Sequence, residues 1–459
     1  MKILFCIYQL DFADHISLAY LSAIARERGH ETFLCVLKES TLQEKVANIR
    51  PDIVAYSTNI NGFEEMLRQH HALKANHEFV SIMGGPHVTI FPETFKDAGV
   101  DAFCIGEGEY AFGDFLECLE NEVSFSQVQN LITAEGRNPV RPLIENLDAL
   151  PFPDRDLTIG NSFLKSVPKK TFYTSRGCPY NCTYCANNFY RDMYKGKGKY
   201  VRRFSPERII KEIEYVRSRY RTDFIKFGDD LFAPRVDAWL LEFVEKYPER
   251  VGIPFNCFLR FDTLNEELLA LLKKAGCYSV HLSVDSTLEK VREQVLGRKM
   301  RKVDIVRQLR MVHDAGINSW VNFMLSAPES TPQDDLDSIR LSKQGKVTYP
   351  NYSVTVPMQG TALFNYCVEK KLIEKTSHVS DMNGCLQPTT LSCFTKRQSE
   401  ISYNVFLLGP LAARLPFPLD RLVVQLIKQA PPNKLFRMIR DSYLKYNLEN
   451  RIFKLSNVS

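Results

Sequence analysis

Short apolar runs alternate with helical patterns twice along this chain, and that alternation limits the fold more than any other feature. Residues 1 to about 125 read KILFCIY then SLAYLSAIARERG, then DIVAYST and an amphipathic stretch through Glu64 and Leu73, then FVSIMGG, DAFCIG and YAFGDFLECLE. Strand–helix repeats at this spacing predict a parallel, doubly wound sheet. The alternation returns from about 168 to 365 as six strands, KTFYTSRG, FIKFGDDLF, IPFNCFLR, YSVHLSVDS, SWVNFMLSAP and NYSVTVPMQG, each followed by a helix or loop. Six βα units predict a partial barrel whose working end lies at the carboxyl ends of its strands.

The fold class is therefore α/β. The expected domains are a doubly wound, Rossmann-like domain at 1–137, a proline-rich connector at 138–167, a partial (β/α)6 TIM-type barrel at 168–370, and a helical carboxy-terminal domain at 371–459. The connector carries NPVRPLIENLDALPFPDRD, which suits an extended linker. The last segment is cut by prolines at 416–418 and 431–433. Ligands of doubly wound sheets bind beyond the strands' carboxyl ends. Here those ends are polar or glycine-rich: Ser57-Thr58-Asn59, Gly84-Gly85-Pro86-His87 and Gly106-Glu107-Gly108-Glu109. They suit a nucleotide- or corrin-sized pocket. Neither G-x-G-x-x-G nor G-x-x-x-x-G-K-[ST] is present at the first strand, which counts against dinucleotides and ATP. In the second array the polar residues at strand ends are Gly228-Asp229-Asp230, Arg260, Asp285-Ser286 and Gln359-Gly360-Thr361.

The stretch TSRGCPYNCTYCANN holds Cys178, Cys182 and Cys185, spaced Cys-x3-Cys-x2-Cys, with no further cysteine or histidine close behind. Three thiolates can hold three irons of a [4Fe–4S] cluster and leave the fourth open to chemistry. A zinc knuckle is the alternative. It needs four protein ligands, and His87 and His281 are far away in sequence.

Hydrophobic residues make up 44% and charged residues 25% of the 459, the balance of an ordinary globular protein. No run of eighteen apolar residues predicts a spanning helix. The opening MKILFCIYQLDFADH reads as a first buried strand rather than a signal peptide. Nine further cysteines are scattered, several in apolar strands, and read as buried thiols in a reducing, cytoplasmic, anaerobic setting. The net charge of +5 does not by itself argue for nucleic acid, and no nucleic-acid partner is expected. From Leu411 onward, nine lysines and arginines stand against three acidic residues. The amphipathic stretches RLVVQLIKQ and KLFRMIRDSYLKY there read as a helical cap on the barrel, with an interfacial helix making peripheral contact with anionic lipid as the alternative.

The cysteine spacing, with Arg-Gly before it, proline after the first cysteine and an aromatic before the third, resembles the radical S-adenosylmethionine (radical SAM) enzymes. In that family the open iron is chelated by SAM, and one-electron reduction splits SAM to methionine and a 5′-deoxyadenosyl radical. The resemblance implies that Tyr184 packs on the adenine. It places Gly228, Asp229 and Asp230 at the methionine amino group, and Ser283 and Asp285 at the fourth strand, where V-D-S replaces the usual I-E-S. The segment Ser326-Ala327-Pro328-Glu329-Ser330-Thr331 departs from G-L-P-G-E-T, and Pro357-Met358-Gln359-Gly360-Thr361 stands for P-x-P-G-T. These departures imply a modified SAM or substrate pocket.

GGPHVT, DAFCIGEGE and LPFPDR, in that order, narrow the resemblance to the cobalamin-binding radical SAM enzymes, over residues 1 to about 365. It implies that the corrin's nucleotide tail enters the first sheet near Ser57, Thr58, Gly84, Gly85, Pro86, His87, Gly106 and Glu107. The D-x-H-x-x-G motif that supplies a cobalt-ligating histidine elsewhere is missing. Asp14-His15 has the wrong spacing, and His87 reads as a loop residue rather than a cobalt ligand. The cobalt's lower face is therefore expected to be open or held by a weaker group.

The implied activity is a [4Fe–4S], SAM- and cobalamin-dependent methyl transfer. The deoxyadenosyl radical takes a substrate hydrogen, and methylcobalamin then supplies a methyl group to an unactivated carbon. The alternatives are a cyclase or ring-rearranging enzyme of the same subgroup, a methylthiotransferase using Cys6, Cys35 and Cys104 for a second cluster, and a non-enzymatic sensor. A flavodoxin or ferredoxin is the implied electron donor, and the substrate class is a small molecule, lipid or natural product. No catalytic acid or base is assignable from the sequence.

Overall fold

The computed structural model describes residues 1–10, 14–59, 62–160, 162–300, 302–374 and 384–455. The chain folds as two compact units. One is Met1–Val167 with Tyr190–Arg202, and the other is Pro168–Phe189 with Arg203–Ser459. Segment 190–202 lies inside the expected barrel range and packs with the first unit.

The first unit is built on a seven-stranded sheet: β1 (Lys2–Ile7), β2 (Glu31–Val36), β3 (Ile53–Ser57), β4 (Val80–Gly84), β5 (Ala102–Cys104), β6 (Leu131–Thr133) and β7 (Gly136–Arg137), in the order β2-β1-β3-β4-β5-β6-β7. β1 to β5 are parallel, whereas β6 and β7 form an antiparallel hairpin at the edge. β1, β3 and β5 are buried almost throughout, as parallel strands covered on both faces must be. The helix Ile16–Glu27 covers one face, burying Leu18, Ala19, Tyr20, Ala23 and Ala25. Asp14 is taken up in a buried ion pair with Arg155 at 2.5 Å and a hydrogen bond from Thr158, so it anchors the connector. Glu31–Val36 is a strand that hydrophobic periodicity does not reveal: it starts polar, and its middle is only half buried.

The second unit carries β8 (Lys169–Phe172) and the short strand β9 (Ser175–Arg176). β10 (Arg202–Arg203) falls where the chain passes from one unit to the other, and β11 (Phe224–Phe227), β12 (Phe255–Phe258), β13 (Cys277–Asp285), β14 (Asn318–Leu325) and β15 (Tyr349–Val354) follow in the second unit. Its sheet runs β15-β14-β13-β12-β11-β8, all parallel. These six strands are the six expected for the partial barrel. Outward residues such as Phe227 and Phe323 are buried, Phe227 against Phe243 and Tyr247 of the helix Ala238–Arg250.

The carboxy-terminal helices Lys396–Ala412, Leu419–Gln429 and Lys434–Asn447 are followed by a π-helical turn, Leu448–Ile452. That turn brings Ile452 and Phe453 to the amino-terminal end of the barrel strands. There they pack with Phe224 and Tyr349, and Ser279 donates to the Ile452 carbonyl at 2.7 Å. The tail thus caps the barrel end opposite the strands' carboxyl ends. The helices at 419–429 and 434–447 also leave Leu422, Leu426, Leu435 and Met438 exposed. Among the described residues no helix is long and apolar enough to cross a membrane, and no cysteine is in a disulfide.

Candidate active site

The cysteine loop leaves β9 through Gly177, whose φ of 83° gives the left-handed turn that glycine makes easily. Asp229 holds the start of this loop. Its Oδ1 accepts from the Thr174 amide at 2.8 Å and the Ser175 hydroxyl at 2.6 Å. Burial pushes this carboxyl up to about 6. Gly228 is required by packing, since a Cβ there would lie 2.7 Å from the Tyr173 ring. Of the Gly-Asp-Asp series, Asp230 is the residue turned to the cysteines. It accepts from Asn187 Nδ2 at 3.0 Å, and the same amide lies 3.5 Å from Cys185 Sγ. Water reaches Asp230, yet the protein crowded around it raises its carboxyl above the ordinary range.

The three thiols lie close enough to influence one another. Burial pushes Cys178 up to about 11 and also raises Cys185, with Asp230 and the neighbouring sulfurs adding to both. Left to themselves Cys178 and Cys185 are thiols at neutral pH, and a bound cation is what would hold them as thiolates. Among the described residues no three His, Cys, Asp or Glu side chains converge on one metal ion. Structural zinc takes four protein ligands, whereas a [4Fe–4S] cluster takes one thiolate per iron, and three cysteines suffice when one iron stays open. The donor set suits the cluster.

A second group of residues clamps the loop. Thr183 donates from its amide to the Leu296 carbonyl at 3.0 Å and from its hydroxyl to the Val295 carbonyl at 2.7 Å. Its own carbonyl accepts from the Leu363 amide at 2.9 Å. Gly297, at φ 65°, passes so near that a Cβ would lie 2.8 Å from the Asn181 carbonyl. The next residue, Arg298, links the site together: its Nε lies 3.1 Å from Asp285 Oδ2 and donates to the Ser283 carbonyl at 2.9 Å. Tyr184 donates to the same Asp285 oxygen at 2.6 Å. Burial works against the Arg298 charge, but Asp285, Tyr184 and Cys182 more than offset it and the guanidinium is held charged. Burial raises the Tyr184 phenol. Arg260 stacks on Tyr180 of the cysteine loop at 3.5 Å.

The family-like turns survive in backbone form. Ser326 and Glu329 occupy the two positions where the pattern has glycine, and both keep left-handed φ values of 55° and 65°. Gly360 at φ 82° keeps both residue and conformation. Asp285 itself has φ 64°, at a register shift between β13 and β14.

In the first unit, Ser57, Gly84 and Cys104 end adjacent strands, and Thr58 donates to the Gly84 carbonyl through both amide and hydroxyl at 2.8 Å. Gly85 is required by the chain's own packing, because a Cβ would lie 2.5 Å from the Thr58 carbonyl. Gly84 is not: a Cβ there meets only the Cys104 carbonyl at 3.6 Å and its Cβ at 3.9 Å. A glycine that the protein does not need leaves backbone open to a bound group, which fits a nucleotide tail. Pro86 and His87 open a short helix, Pro86–Ile90, rather than lie in a loop, and the His87 ring stacks on Phe63 at 3.8 Å. Gly106 packs against the Tyr194 hydroxyl. Glu107 pairs with Arg202 at 2.7 Å and accepts from the Ile144 amide at 3.2 Å, so its carboxylate holds local structure.

Arg260 is among the strand-end polar residues expected from the sequence, whereas Asn187 and Arg298 do not stand out there. Arg298 falls in LGRKMRK, which reads as surface charge.

Comparison with known proteins adds to this geometry. Residues 172–341 match the radical SAM superfamily and residues 12–116 match the B12 binding domain. An uncharacterized methyltransferase of Pyrococcus horikoshii is 27% identical over 370 residues, covering 78% of this chain and 79% of its own length. The anaerobic magnesium-protoporphyrin IX monomethyl ester cyclase of Rubrivivax gelatinosus is 22% identical, covering 96% of this chain and 80% of its own. The fold is similar to that of the radical SAM methyltransferase TsrM from Kitasatospora setae, with TM-score 0.68, 14% identity and coverage of 98% of this chain and 99% of that one.

Proposed function

Because the chain belongs to the cobalamin-binding radical SAM enzymes, we propose that it transfers a methyl group to an unactivated carbon of a small-molecule substrate. When bound, the cluster with SAM supplies a 5′-deoxyadenosyl radical and cobalamin supplies the methyl group. The observation that carries this reading is the meeting of Cys182, Tyr184, Asp285 and Arg298 in one buried network beside Asp230. Cys178, Cys182 and Cys185 hold the cluster. Asp230 receives the methionine ammonium, a cation that its position beside the cysteines suits. Tyr184, fixed by Asp285, presents its ring to the adenine. Ser57, Thr58 and Gly84 line the entry of the corrin's nucleotide tail. A flavodoxin- or ferredoxin-type donor supplies the electron.

The name of the Pyrococcus relative supports methyl transfer, and the Rubrivivax relative supports a second reading, oxidative cyclisation with the same cofactors and no methyl transfer. One experiment separates them. Anaerobically reconstituted enzyme is incubated with methyl-labelled SAM, dithionite and a metabolite extract of its host. A product carrying the label is expected, and a product formed without label rejects methyl transfer. Iron near four per chain, rather than about eight, separates both from a methylthiotransferase. In keeping with one cluster, Cys6 and Cys35 face each other as buried register partners of β1 and β2, whereas Cys104 lies on β5.

A further inference from the structure

The barrel interior is not packed shut. Along β14 burial alternates strictly: Val321, Phe323 and Leu325 are buried, whereas Trp320, Asn322 and Met324 on the inward face are only half buried. On β11, Lys226 is half buried between the fully buried Ile225 and Phe227. Closed barrels fill this space with branched apolar side chains. Here water reaches it, and two lysines enter it.

Phe258, His281 and Trp320 form one stacked row across three neighbouring strands, with ring centroids 4.1 and 4.3 Å apart and planes inclined by 29° and 11°. Lys226 Nζ lies over both ends of this row, 5.4 Å from the Phe258 ring and 5.8 Å from the Trp320 ring. Lys169, on the same face of β8, places Nζ 4.7 Å from the Phe453 ring. Among the described residues no carboxylate pairs with either ammonium. The pair is unfavourable as it stands: burial, and then Lys226, lower Lys169 to about 8, and burial lowers Lys226. Ring faces offset part of the cost of desolvating a cation, but a buried ammonium is ordinarily matched by an anion. His281 cannot add to the charge, since burial and Lys226 push it down to about 3.

The geometry points to an anion subsite inside the barrel: Lys226 and Lys169 receive a carboxylate or phosphate of the substrate, and the Phe258–His281–Trp320 row receives the apolar or aromatic body that carries it. One register row nearer the strands' carboxyl ends, Asn351 donates to Asn322 at 2.9 Å and brings amides to the same wall. This deepens the proposed function and rests on its reading of the barrel as the catalytic domain. The substrate enters charged end first, which leaves its reacting carbon toward the cysteine loop.

The chain has two tryptophans, so Trp239→Phe leaves Trp320 as sole reporter. The reconstituted Trp239→Phe holoenzyme is titrated anaerobically with benzoate, phenyl phosphate and uncharged benzamide while Trp320 emission is followed. At least one anion is expected to bind ten-fold or more tightly than benzamide, and whichever anion is preferred assigns carboxylate or phosphate. Lys226→Met should abolish that preference, Lys226→Arg should keep most of it, and Lys169→Met should weaken it. Equal affinity for benzamide, binding of none of the three, or an anion preference unmoved by both methionine variants overturns the subsite. Formation of 5′-deoxyadenosine by the unsubstituted holoenzyme is measured in parallel. Its absence defeats the proposed radical-initiated methyl transfer, whereas its presence without anion preference defeats only the subsite.

Discussion

Arg298 Nε lies 3.1 Å from Asp285 Oδ2, with both side chains almost wholly buried. The pair joins the two sides of the candidate SAM site, because Asp285 also fixes Tyr184 and Arg298 Nη1 comes within 4.0 Å of Cys182 Sγ. Removing one partner strands the other. Arg298→Met is expected to destabilise by about 3–5 kcal/mol. The double variant with Asp285→Asn should be clearly less damaged than the two single losses added together. Denaturant midpoints of the four proteins measure the coupling, and strict additivity would remove the pair from the account. SAM binding should weaken in each variant while iron content is retained.

Gly84 and Gly85 adjoin in sequence but answer to different demands. Gly85→Ala should destabilise by about 1–3 kcal/mol, since φ is 101° and its Cβ would strike the Thr58 carbonyl. Gly84→Ala should melt like the parent yet retain several-fold less cobalamin after desalting, read by corrin absorbance. Unchanged cobalamin retention would move the nucleotide tail away from Gly84.

Asp229 makes stability depend on pH in the less common direction for a carboxylate. Its folded value of about 6 lies above the ordinary 3.8. Between these values the native state binds the extra proton, so stability is greatest at the acid side and falls as pH rises from about 4 to about 6. The loss is of order 3 kcal/mol at most. Asp229→Asn should remove this component. The stability difference between parent and variant, followed by urea unfolding from pH 4.5 to 7, should therefore shift against the parent as pH rises. A flat difference would show that Asp229 titrates normally.

Ser326 holds a left-handed φ of 55°. Ser326→Gly relieves that strain and is expected to stabilise by about 1 kcal/mol, seen as a rise in Tm. Glu329 differs, because its carboxylate also bonds Tyr366 at 2.5 Å and Lys290 at 2.8 Å. Glu329→Gly should therefore gain less than Ser326→Gly.

Phe453 closes the far end of the barrel against Phe224 and Trp320, at ring distances of 5.7 and 5.8 Å. Phe453→Ala is expected to cost about 3–5 kcal/mol, measured by denaturant unfolding. A near-neutral result would mean that the tail lies on the barrel without plugging it.

By itself the sequence determined the two βα arrays, the six barrel strands, the cysteine trio and the two domain types. Those properties are local: periodicity, strand-end composition and ligand spacing are carried by residues near one another in the chain. Strand pairing and side-chain direction are not local. β2 shows no clear periodic pattern because its middle is only half buried, and β6 and β7 are too short to leave one. The sequence offered Asp229 and Asp230 as equals. Only the fold turns Asp229 back to Thr174 and Ser175 and leaves Asp230 beside the cysteines. Arg298 belongs to no motif along the chain, and the turn at Gly297 brings it to Asp285 and Cys182. Lys226 likewise became informative only when the inward face of the barrel proved accessible and, among the described residues, without a carboxylate for it. Chemistry that needs spacing along the chain was legible in advance; chemistry that needs distant side chains to converge was decided by tertiary packing.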